Sequence, residues 1–254
     1  MIKVIVCGAL GKMGRTVIEE IAGDKDLKLI GAIEAPGNAG LGSSLGGVVV
    51  SADLPKALSS CDVMVDFTNA AAALEHIAQS AAAGKAAVIG TTGFSSDELA
   101  AAKKAAEKIP LIISPNMSAG VNLMFKIVED VARALPDFDA EIMEIHHNKK
   151  KDAPSGTAVR LAEAIGRRRS SSRLVHGREG IVGARKPDEI GMHSLRGGDV
   201  VGEHTVIFAG EGERFELTHR AHSRRTLARG TLRAIHFIYG KKPGLYTMMD
   251  VLNL

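Results

Sequence analysis

Side chains able to do chemistry concentrate in the segment HHNKKKDAPSGT, which runs from His146 to Thr157. A histidine titrates near neutral pH and can act as a general acid. A lysine can add a charge-assisted hydrogen bond to an anion. Asp152 to Pro154 predicts a turn, and the Ser-Gly-Thr that follows begins a helix whose free amides attract a carboxylate or phosphate. The segment therefore predicts a site that binds a small acid and transfers a proton.

Only part of this segment is expected to face the site. Neighbouring side chains of a strand point to opposite faces, so one of His146 and His147 enters the pocket while the other packs or orients it. At least one of the three lysines at 149–151 is expected to contact the anion, and the others to contact solvent. Metal binding is the competing interpretation, but adjacent histidines cannot easily share one ion and no familiar ligand spacing follows them. We therefore predict no metal.

A glycine-rich turn follows the first predicted strand, in the run CGALGKMGRTV. Gly8, Gly11 and Gly14 recur at a spacing one position away from the common G-x-G-x-x-G. Such a turn lets backbone amides approach a pyrophosphate at a helix N-terminus. Glu34 ends the second predicted strand, where an acidic side chain would bind the adenosine ribose hydroxyls. The pattern predicts a dinucleotide site, with a purely structural glycine turn as the alternative.

The residues around Glu34 favour NADH over NADPH. A carboxylate at this position repels a 2′-phosphate, and Ala35 and Pro36 offer no arginine to receive one. Lys12, inside the glycine turn, could reach either the pyrophosphate or a 2′-phosphate. NADH is therefore the favoured cofactor, and the use of NADPH stays open.

Two further loops are predicted at the carboxyl ends of strands, where ligands bind in open α/β sheets. They are GTT, from Gly90 to Thr92, and SPNM, from Ser114 to Met117. Both offer backbone amides and short polar side chains suited to a nicotinamide carboxamide and its ribose. The alternative is that both are ordinary turns at strand ends.

The first half of the chain predicts a doubly wound parallel α/β sheet, because short apolar runs alternate with helical runs. Ser95 and Glu98 form a predicted capping box at the start of one of these helices. The glycine-rich segment 37–47 is expected to be too flexible for an element, and thus a mobile loop or a linker.

After Asp139 the pattern changes. DAEIMEIHH alternates like a strand, SGTAVRLAEAIG reads as an amphipathic helix, and the basic loop RRRSSSR at 167–173 is expected to be solvated. Three strands are predicted next, in IGMHSLRGG, VVGEHTVIFAG and ERFELTHRAH, as consecutive antiparallel neighbours in an open sheet. The last helix, TLARGTLRAIHFIYG, has an apolar side that is expected to pack on the first domain.

Composition restricts the classes of function. The chain has 254 residues, a net charge of +3 and no tryptophan. It lacks both the basic stripe of a duplex-binding protein and an aromatic platform for single strands, so no nucleic-acid partner is expected. Cys7 and Cys61 lie in apolar strand-like runs and are expected to be reduced core residues. No apolar run reaches about 18 residues, so we expect no membrane partner and a cytoplasmic protein.

Five features together, GALGKMGR, Glu34, GTTGF, SPNMSAGVN and EIHHNKKKDAPSGTA, resemble the 4-hydroxy-tetrahydrodipicolinate (dihydrodipicolinate) reductase family of lysine biosynthesis. The resemblance implies an oxidoreductase that uses a nicotinamide cofactor to reduce the cyclic imine dicarboxylate derived from 4-hydroxy-tetrahydrodipicolinate, in the diaminopimelate route. It also implies a Rossmann-like dinucleotide-binding domain at 1–117 and 228–254. A substrate-binding and oligomerisation domain with an open mixed sheet would occupy 118–227, and the assembly would be a homotetramer.

The resemblance further implies roles for individual residues. His146 would donate the proton, with Lys150 as a possible second donor. The substrate carboxylates would be held by His147, Lys150, Ser155, Gly156 and Thr157. The cofactor would be held by Gly8, Ala9, Leu10, Gly11, Lys12, Met13, Glu34, Gly90, Thr91, Thr92, Ser114, Pro115, Asn116 and Met117. Family members commonly have an arginine directly after the ribose acid, and Ala35 in its place again favours NADH.

Two other functions fit part of the pattern. An NAD-dependent dehydrogenase acting on aspartate, homoserine or a related amino acid would explain the glycine turn and the anion cradle, but not the paired histidines before the cradle. A redox sensor that binds NAD(H) and signals through its oligomer interface would bind the nucleotide without turnover.

Overall fold

The computed structural model describes residues 1–169 and 171–254, which divide into two compact units. The first unit comprises Met1–Ala119 and Arg224–Asn253, and the second comprises Gly120–Ser223 with Leu254. Ser170, which belongs to the predicted basic loop, lies outside the described residues. Among the described residues, no helix combines the length and the apolar character needed to cross a membrane.

The first unit is built on an eight-stranded sheet. Its strands are β1 (Ile2–Cys7), β2 (Leu27–Ile33), β3 (Ser44–Leu45), β4 (Val48–Ser51), β5 (Val63–Asp66), β6 (Ala86–Ile89), β7 (Pro110–Ile113) and β13 (Gly244–Tyr246). They lie in the order β13-β7-β6-β5-β1-β2-β4-β3, and every described pair is parallel except β3 with β4. The chain moves outward in one direction after β1 and in the other after β5, so this is the predicted doubly wound sheet, with its switch point between β1 and β5.

Helices cover both faces of this sheet. They are α1 (Lys12–Ala22), α2 (Leu54–Leu58), α3 (Ala70–Ala82), α4 (Ser96–Ala105), α7 (Arg225–Ile238) and α8 (Met248–Leu252). Successive residues of β1 enter different cores, as expected for a strand buried on both faces. Val4 and Val6 pack with apolar residues of α1 and α7, whereas Ile5 and Cys7 pack with residues of α3 and α4. Both cysteines are free and buried, as the sequence predicts.

Local sequence signals predict the local structure of this unit correctly in one segment and wrongly in another. The capping box of α4 is confirmed, since the Ser95 side chain accepts from the Glu98 amide at 3.2 Å and the Glu98 carboxylate accepts from the Ser95 amide at 2.7 Å. The segment 37–47 was wrongly predicted to contain no element, because it includes β3. Gly46 and Gly47, both at positive φ, form the tight turn that pairs β3 with β4.

The second unit is built on a five-stranded mixed sheet. Its strands are β8 (Asp139–His146), β9 (Arg173–His176), β10 (Glu189–Arg196), β11 (Gly202–Gly210) and β12 (Glu213–Ala221). They lie in the order β12-β11-β8-β10-β9. The accompanying helices are α5 (Ala119–Ala134) and α6 (Gly156–Gly166).

The pairing of these strands corrects the prediction of three consecutive antiparallel neighbours. Strands β11 and β12 do form an antiparallel hairpin, but β10 lies parallel to β8 and β9. The connection from β10 to β11 crosses the end of β8, where the Gly197 amide donates to the His146 carbonyl at 2.9 Å. The alternation of polar and apolar residues shows that a segment is a half-buried strand but does not specify its partner, so β8 could not be placed between β10 and β11 from sequence.

Most of the described part of the basic loop is exposed, as predicted, but three of its arginines also bind neighbouring groups. Arg169 is half-buried, and its guanidinium donates to the Phe138 carbonyl at 2.5 Å. Arg167 and Arg168 each form an ion pair with Glu129, at 2.7 and 2.6 Å. The run of charges shows that the loop is basic, but it does not show that the Phe138 carbonyl and the Glu129 carboxylate lie close enough to accept from it.

Candidate functional site

The carboxyl ends of β1, β5, β6 and β7 are adjacent in the first unit. Each following loop is hydrogen-bonded to the strand beside it: Phe67 N to Cys7 O at 3.2 Å, Gly90 N to Asp66 O at 2.9 Å, and Ser114 N to Ile89 O at 3.0 Å. The glycine turn and the two loops predicted from sequence therefore lie along one edge of the sheet. A further loop at 67–69, which sequence reasoning missed, lies between them.

The glycine turn is shaped for close backbone approach. Gly8 has φ +74°, and a Cβ atom there would lie 2.6 Å from the Phe67 carbonyl oxygen. A Cβ atom on Gly14 would lie 2.2 Å from the Gly8 carbonyl oxygen. The first-turn amides of a helix have no intrahelical acceptor, and Gly11, the N-cap of α1, has no side chain that could accept from them. These amides are therefore open to a ligand. This geometry suits a pyrophosphate.

A cleft of about 600 Å³ opens beside the turn and reaches the ends of β2 and β5. Glu34 lies in this cleft, half-buried, and its carboxylate accepts from the Leu10 amide at 2.8 Å and from the Asn38 side chain at 3.3 Å. The acid proposed to bind the ribose is thus held against the glycine turn itself. The cleft volume, the acidic acceptor and the open amides fit an adenine dinucleotide.

The predicted cofactor residues differ in their positions. Those that line the cleft are Gly8, Leu10, Gly11 and Glu34. The Ala9 and Met117 side chains are buried in the apolar core, so only their backbones could touch a ligand, while Met13 packs against the same core and Lys12 is exposed. The others, Gly90, Thr91, Thr92, Ser114, Pro115 and Asn116, follow β6 and β7 and are not among the residues that line this cleft.

A buried carboxylate joins two of the strand-end loops. Oδ1 of Asp66 accepts from the Thr91 hydroxyl at 2.7 Å and from the Thr68 hydroxyl at 2.7 Å, and Oδ2 lies 2.6 Å from Nδ1 of His76. Cys7 is close enough to complete a possible set of three metal-ligating side chains. Burial raises the pKa of the Cys7 thiol well above its usual range, and both oxygens of Asp66 already have partners. The geometry therefore favours a structural role for Asp66, which holds the loops through hydrogen bonds, rather than a metal site.

His146, the predicted proton donor, lies at the end of β8 in the second unit. Its Nδ1 is 2.5 Å from Oε2 of Glu144, a carboxylate with no exposed side-chain surface. Arg196 donates to both oxygens of Glu144, at 2.9 and 3.0 Å. The Ser155 amide donates to Oε1 at 3.1 Å. The two residues in this group that sequence reasoning missed are Glu144 and Arg196.

Burial and hydrogen bonding oppose each other in this group. Burial lowers the pKa of His146 below its ordinary value, and the hydrogen bond to Glu144 only partly offsets that effect. Burial alone would raise the pKa of Glu144, but the hydrogen bonds from Arg196 and His146 lower it. The ligand-free imidazole is therefore mainly neutral at pH 7 and donates Nδ1–H to an ionised carboxylate.

The N-terminus of α6 stands beside this pair. Ser155 caps the helix, with its hydroxyl accepting from the Ala158 amide at 3.2 Å and lying 2.9 Å from Nε2 of His204. Ser155 is buried, and both its amide and its hydroxyl are thus committed to the fold. Gly156 and Thr157 form the first turn of α6, and the position of a Cβ on Gly156 is open space.

The remaining predicted substrate residues follow β8. Lys150 is the half-buried member of the three lysines, and its ammonium pairs with the Asp152 carboxylate at 2.7 Å. Lys149 and Lys151 are exposed, as expected for the lysines that only contact solvent. Nδ1 of His147 is buried and has no hydrogen-bond partner among the described residues. A buried polar atom without a partner calls for one, such as a water or a ligand group.

Comparison with known proteins decides the family. Residues 2–117 match the family model for the N-terminus of dihydrodipicolinate reductase, and residues 120–252 match the model for its C-terminus. The chain belongs to the dihydrodipicolinate reductase family. It is thus an oxidoreductase of a family that uses NAD(P)H, and the predicted family and enzyme class are confirmed.

Individual relatives agree with this assignment. The 4-hydroxy-tetrahydrodipicolinate reductases of Anaeromyxobacter dehalogenans and Aquifex aeolicus are each 50% identical to the whole chain, over 98% and 99% of their own lengths. A solved dipicolinate-bound dihydrodipicolinate reductase from Paenisporosarcina is 29% identical, with a TM-score of 0.82 over 98% of both chains. GenD2 from gentamicin A biosynthesis, solved with NAD, is 15% identical with a TM-score of 0.65, a likeness of fold alone.

Two of the residues that sequence reasoning missed in this reductase carried weak signals, and a third carried none. Glu144 is two positions before His146 and so projects to the same face of the strand. Asp66 ends β5 directly beside the switch point of the sheet. Arg196 carried no local signal, because it lies on β10, opposite His146 in the register with β8.

Proposed function

We propose that this reductase converts the cyclic imine dicarboxylate derived from 4-hydroxy-tetrahydrodipicolinate into tetrahydrodipicolinate, with NADH as the favoured cofactor. The observation that carries the proposal is the pairing of His146 with the buried Glu144, which also holds the Ser155 amide at the start of α6. A proton donor and an anion-binding helix end are thus joined through one carboxylate. Family membership supports the reaction, and the dipicolinate in the Paenisporosarcina structure supports a dicarboxylate ligand.

The reaction needs one hydride and one proton. A bound reduced nicotinamide would supply the hydride. In the substrate, a carbon–carbon double bond is conjugated with the ring C=N, so hydride addition at C4 moves the electron pair toward the ring nitrogen and leaves an enamine. Protonation at C3 then restores the imine. His146 would deliver this proton from Nε2 when the ring is an imidazolium, because its other proton, on Nδ1, is held by Glu144.

The substrate carboxylates would be held by the residues around α6 and the loop before it. The amides of Gly156 and Thr157 lie in the first turn of the helix, and the partial positive charge of that end favours an anion. Lys150 would exchange its present partner, Asp152, for a substrate carboxylate. His147 would donate or accept through its unpartnered Nδ1. The Ser155 side chain contributes by fixing the helix start.

The loss of the Lys150 ammonium should weaken both binding and turnover. We expect Lys150→Ala to raise the KM for the dicarboxylate and to lower kcat, together at least about tenfold in kcat/KM, because a charge-assisted contact contributes roughly 1.5–3 kcal/mol. Steady-state kinetics with varied substrate measures both constants. Lys151→Ala is the matched control, since Lys151 is exposed and should retain wild-type constants. Wild-type kinetics for Lys150→Ala would place that side chain outside the pocket.

The cofactor preference follows from the cleft. Glu34 stands half-buried at the adenosine end and Ala35 follows it, so a 2′-phosphate would meet a carboxylate. We expect a higher kcat/KM for NADH than for NADPH, and Glu34→Gln should narrow the difference by removing the repulsion. Initial rates with each cofactor at saturating substrate test this. A tenfold or greater preference for NADPH would refute it.

The same proposal gives the two units different roles. Residues 1–117 and 228–254 would bind the dinucleotide, and residues 118–227 would bind the substrate and form the contacts of a cytoplasmic homotetramer. The exposed Leu195, on the mixed sheet of the second unit, supports an interface role for that sheet. Light scattering coupled to size-exclusion chromatography measures the subunit number.

The decisive experiment follows the loss of NADH absorbance with freshly generated 4-hydroxy-tetrahydrodipicolinate. Turnover that depends on this substrate supports the proposal. Oxidation of aspartate or homoserine with NAD⁺, and no reduction of the cyclic substrate, would instead indicate an amino-acid dehydrogenase. Binding of NADH without any turnover would indicate a nucleotide sensor.

A further inference from the structure

Glu144 contacts both the proton donor and the helix end of the candidate site. We propose that Glu144 is a positioning residue: one carboxylate oxygen fixes which nitrogen of His146 carries the transferable proton, and the other fixes the start of α6. The inference rests on the proposed role of His146 as proton donor. It assigns to Glu144, with Arg196, a role in the reaction without contact to the substrate.

The hydrogen-bonding capacity of the carboxylate determines the tautomer. An ionised carboxylate only accepts hydrogen bonds, so the 2.5 Å contact between Oε2 and Nδ1 makes Nδ1 the donor. Nε2 is then the only ring atom that can exchange a proton. A Cβ atom on Gly202 of β11 would lie 3.0 Å from this Nε2, so the glycine keeps that edge of the ring free of a neighbouring side chain.

Both oxygens of Glu144 are occupied by donors. Oε2 receives Nδ1 of His146 and Nη1 of Arg196, while Oε1 receives Nη2 of Arg196 and the Ser155 amide. Arg196 is itself fixed by the Asp152 carbonyl, at 2.6 Å. A glutamine in place of Glu144 would present an NH₂ group to at least one of these donors. The arrangement is therefore specific for a carboxylate.

The charges around His146 determine the sign of the expected effect. Glu144 on β8 is the one carboxylate among the causes of its pKa shift, and Lys150 and Arg196 are the cations. His204 on β11 lies edge-on to His146 at 5.2 Å, and burial lowers its pKa to about 3, so it stays neutral. Removing the Glu144 charge leaves only cations near the imidazolium, and the pKa of His146 must fall further.

The test compares Glu144→Gln with wild type. Nitrogen NMR of histidine-labelled enzyme should show the Nδ1–H tautomer of neutral His146 in wild type and a substantial Nε2–H population in the variant. In the pH profile of kcat, the pH at which activity falls as the pH rises, here called the pH limb, should be lower in the variant by about one pH unit or more. At pH values above this limb the variant should therefore have a kcat about tenfold below that of wild type, and acidification should restore part of the loss. A purely structural role would not produce this recovery.

Glu141→Gln is the matched control, because Glu141 lies on the same strand and also binds arginines, Arg178 and Arg185, but does not contact His146. It should leave the tautomer and the pH limb unchanged. If Glu144→Gln does not fold, Glu144→Asp replaces it. Its shorter carboxylate cannot reach both His146 and Ser155 in their present positions and should lower kcat at least tenfold in a folded protein.

Different results separate the possible failures. A wild-type tautomer and pH limb in folded Glu144→Gln, or wild-type kcat in Glu144→Asp, would overturn the inference. An equal shift in Glu141→Gln would also overturn it, because the effect would then not be specific to Glu144. A wild-type kcat in His146→Gln would contradict the role of His146 as proton donor, on which this inference rests, whereas no turnover of the cyclic substrate by the wild type would contradict the proposed function itself.

Discussion

His146→Gln is expected to lower kcat by about 10²- to 10⁴-fold, the usual contribution of a positioned general acid. Glutamine has a similar reach and can still donate a hydrogen bond to Glu144, but its amide cannot transfer a proton to carbon. The KM for NADH should change by less than about twofold, because His146 is proposed to act on the substrate and Glu34 with the glycine turn to bind the cofactor. Steady-state kinetics with varied NADH and varied substrate gives these constants.

The pH dependence of the wild-type enzyme should agree with this role. A general acid must be protonated, so activity is lost as pH rises through the pKa of His146. Burial lowers that pKa, so the limb for kcat/KM, which reports the free enzyme, should lie below the ordinary histidine value of about 6.5. The limb for kcat should lie higher, because bound carboxylates stabilise the imidazolium.

A companion variant distinguishes proton transfer from substrate binding. His147→Gln should mainly raise the KM for the dicarboxylate, since His147 is proposed to hold a carboxylate through its unpartnered Nδ1. Near-wild-type kcat in His146→Gln, or an equal loss of kcat in both variants, would remove His146 from the proposed mechanism.

Gly14→Ala is expected to weaken NADH binding at least about tenfold and to reduce the free energy of unfolding by about 1–3 kcal/mol. An alanine methyl group there would lie 2.2 Å from the Gly8 carbonyl oxygen and 2.8 Å from Ala9 Cα. Both are backbone atoms, so α1 and the glycine turn must separate. The gain in helix propensity, at most about 1 kcal/mol, does not compensate. Calorimetric titration with NADH and denaturant unfolding measure the two effects.

Gly23→Ala at the other end of α1 is the matched control. A Cβ atom there would make an ordinary contact, 3.6 Å from the Glu20 carbonyl oxygen, and Gly23 has φ −88°. This variant should bind NADH like wild type. If Gly14→Ala also bound NADH with wild-type affinity, close packing between α1 and the turn would not be required for the cofactor site.

The sequence by itself determined the features that depend on neighbouring residues. The glycine turn, the capping box of α4 and the start of α6 at Ser155 could all be predicted, because φ preferences and caps act within a few residues. The alternation of short apolar runs and helices was enough to predict the doubly wound sheet. The motif from His146 to Thr157 was enough to predict a histidine beside the start of a helix, and the structure joins the two through Glu144.

Only the tertiary structure decided what surrounds these residues. Strand β8 lies between β10 and β11, and this order brings Arg196, 52 positions from Glu144, onto both oxygens of that carboxylate. It also places His204 against His146. In the same way the adjacency of β5 and β6 brings Thr91 to Asp66. Strand order depends on which pairings bury the most surface and satisfy the most backbone groups over the whole sheet. A local pattern of residues cannot specify it, because it depends on all the strands together.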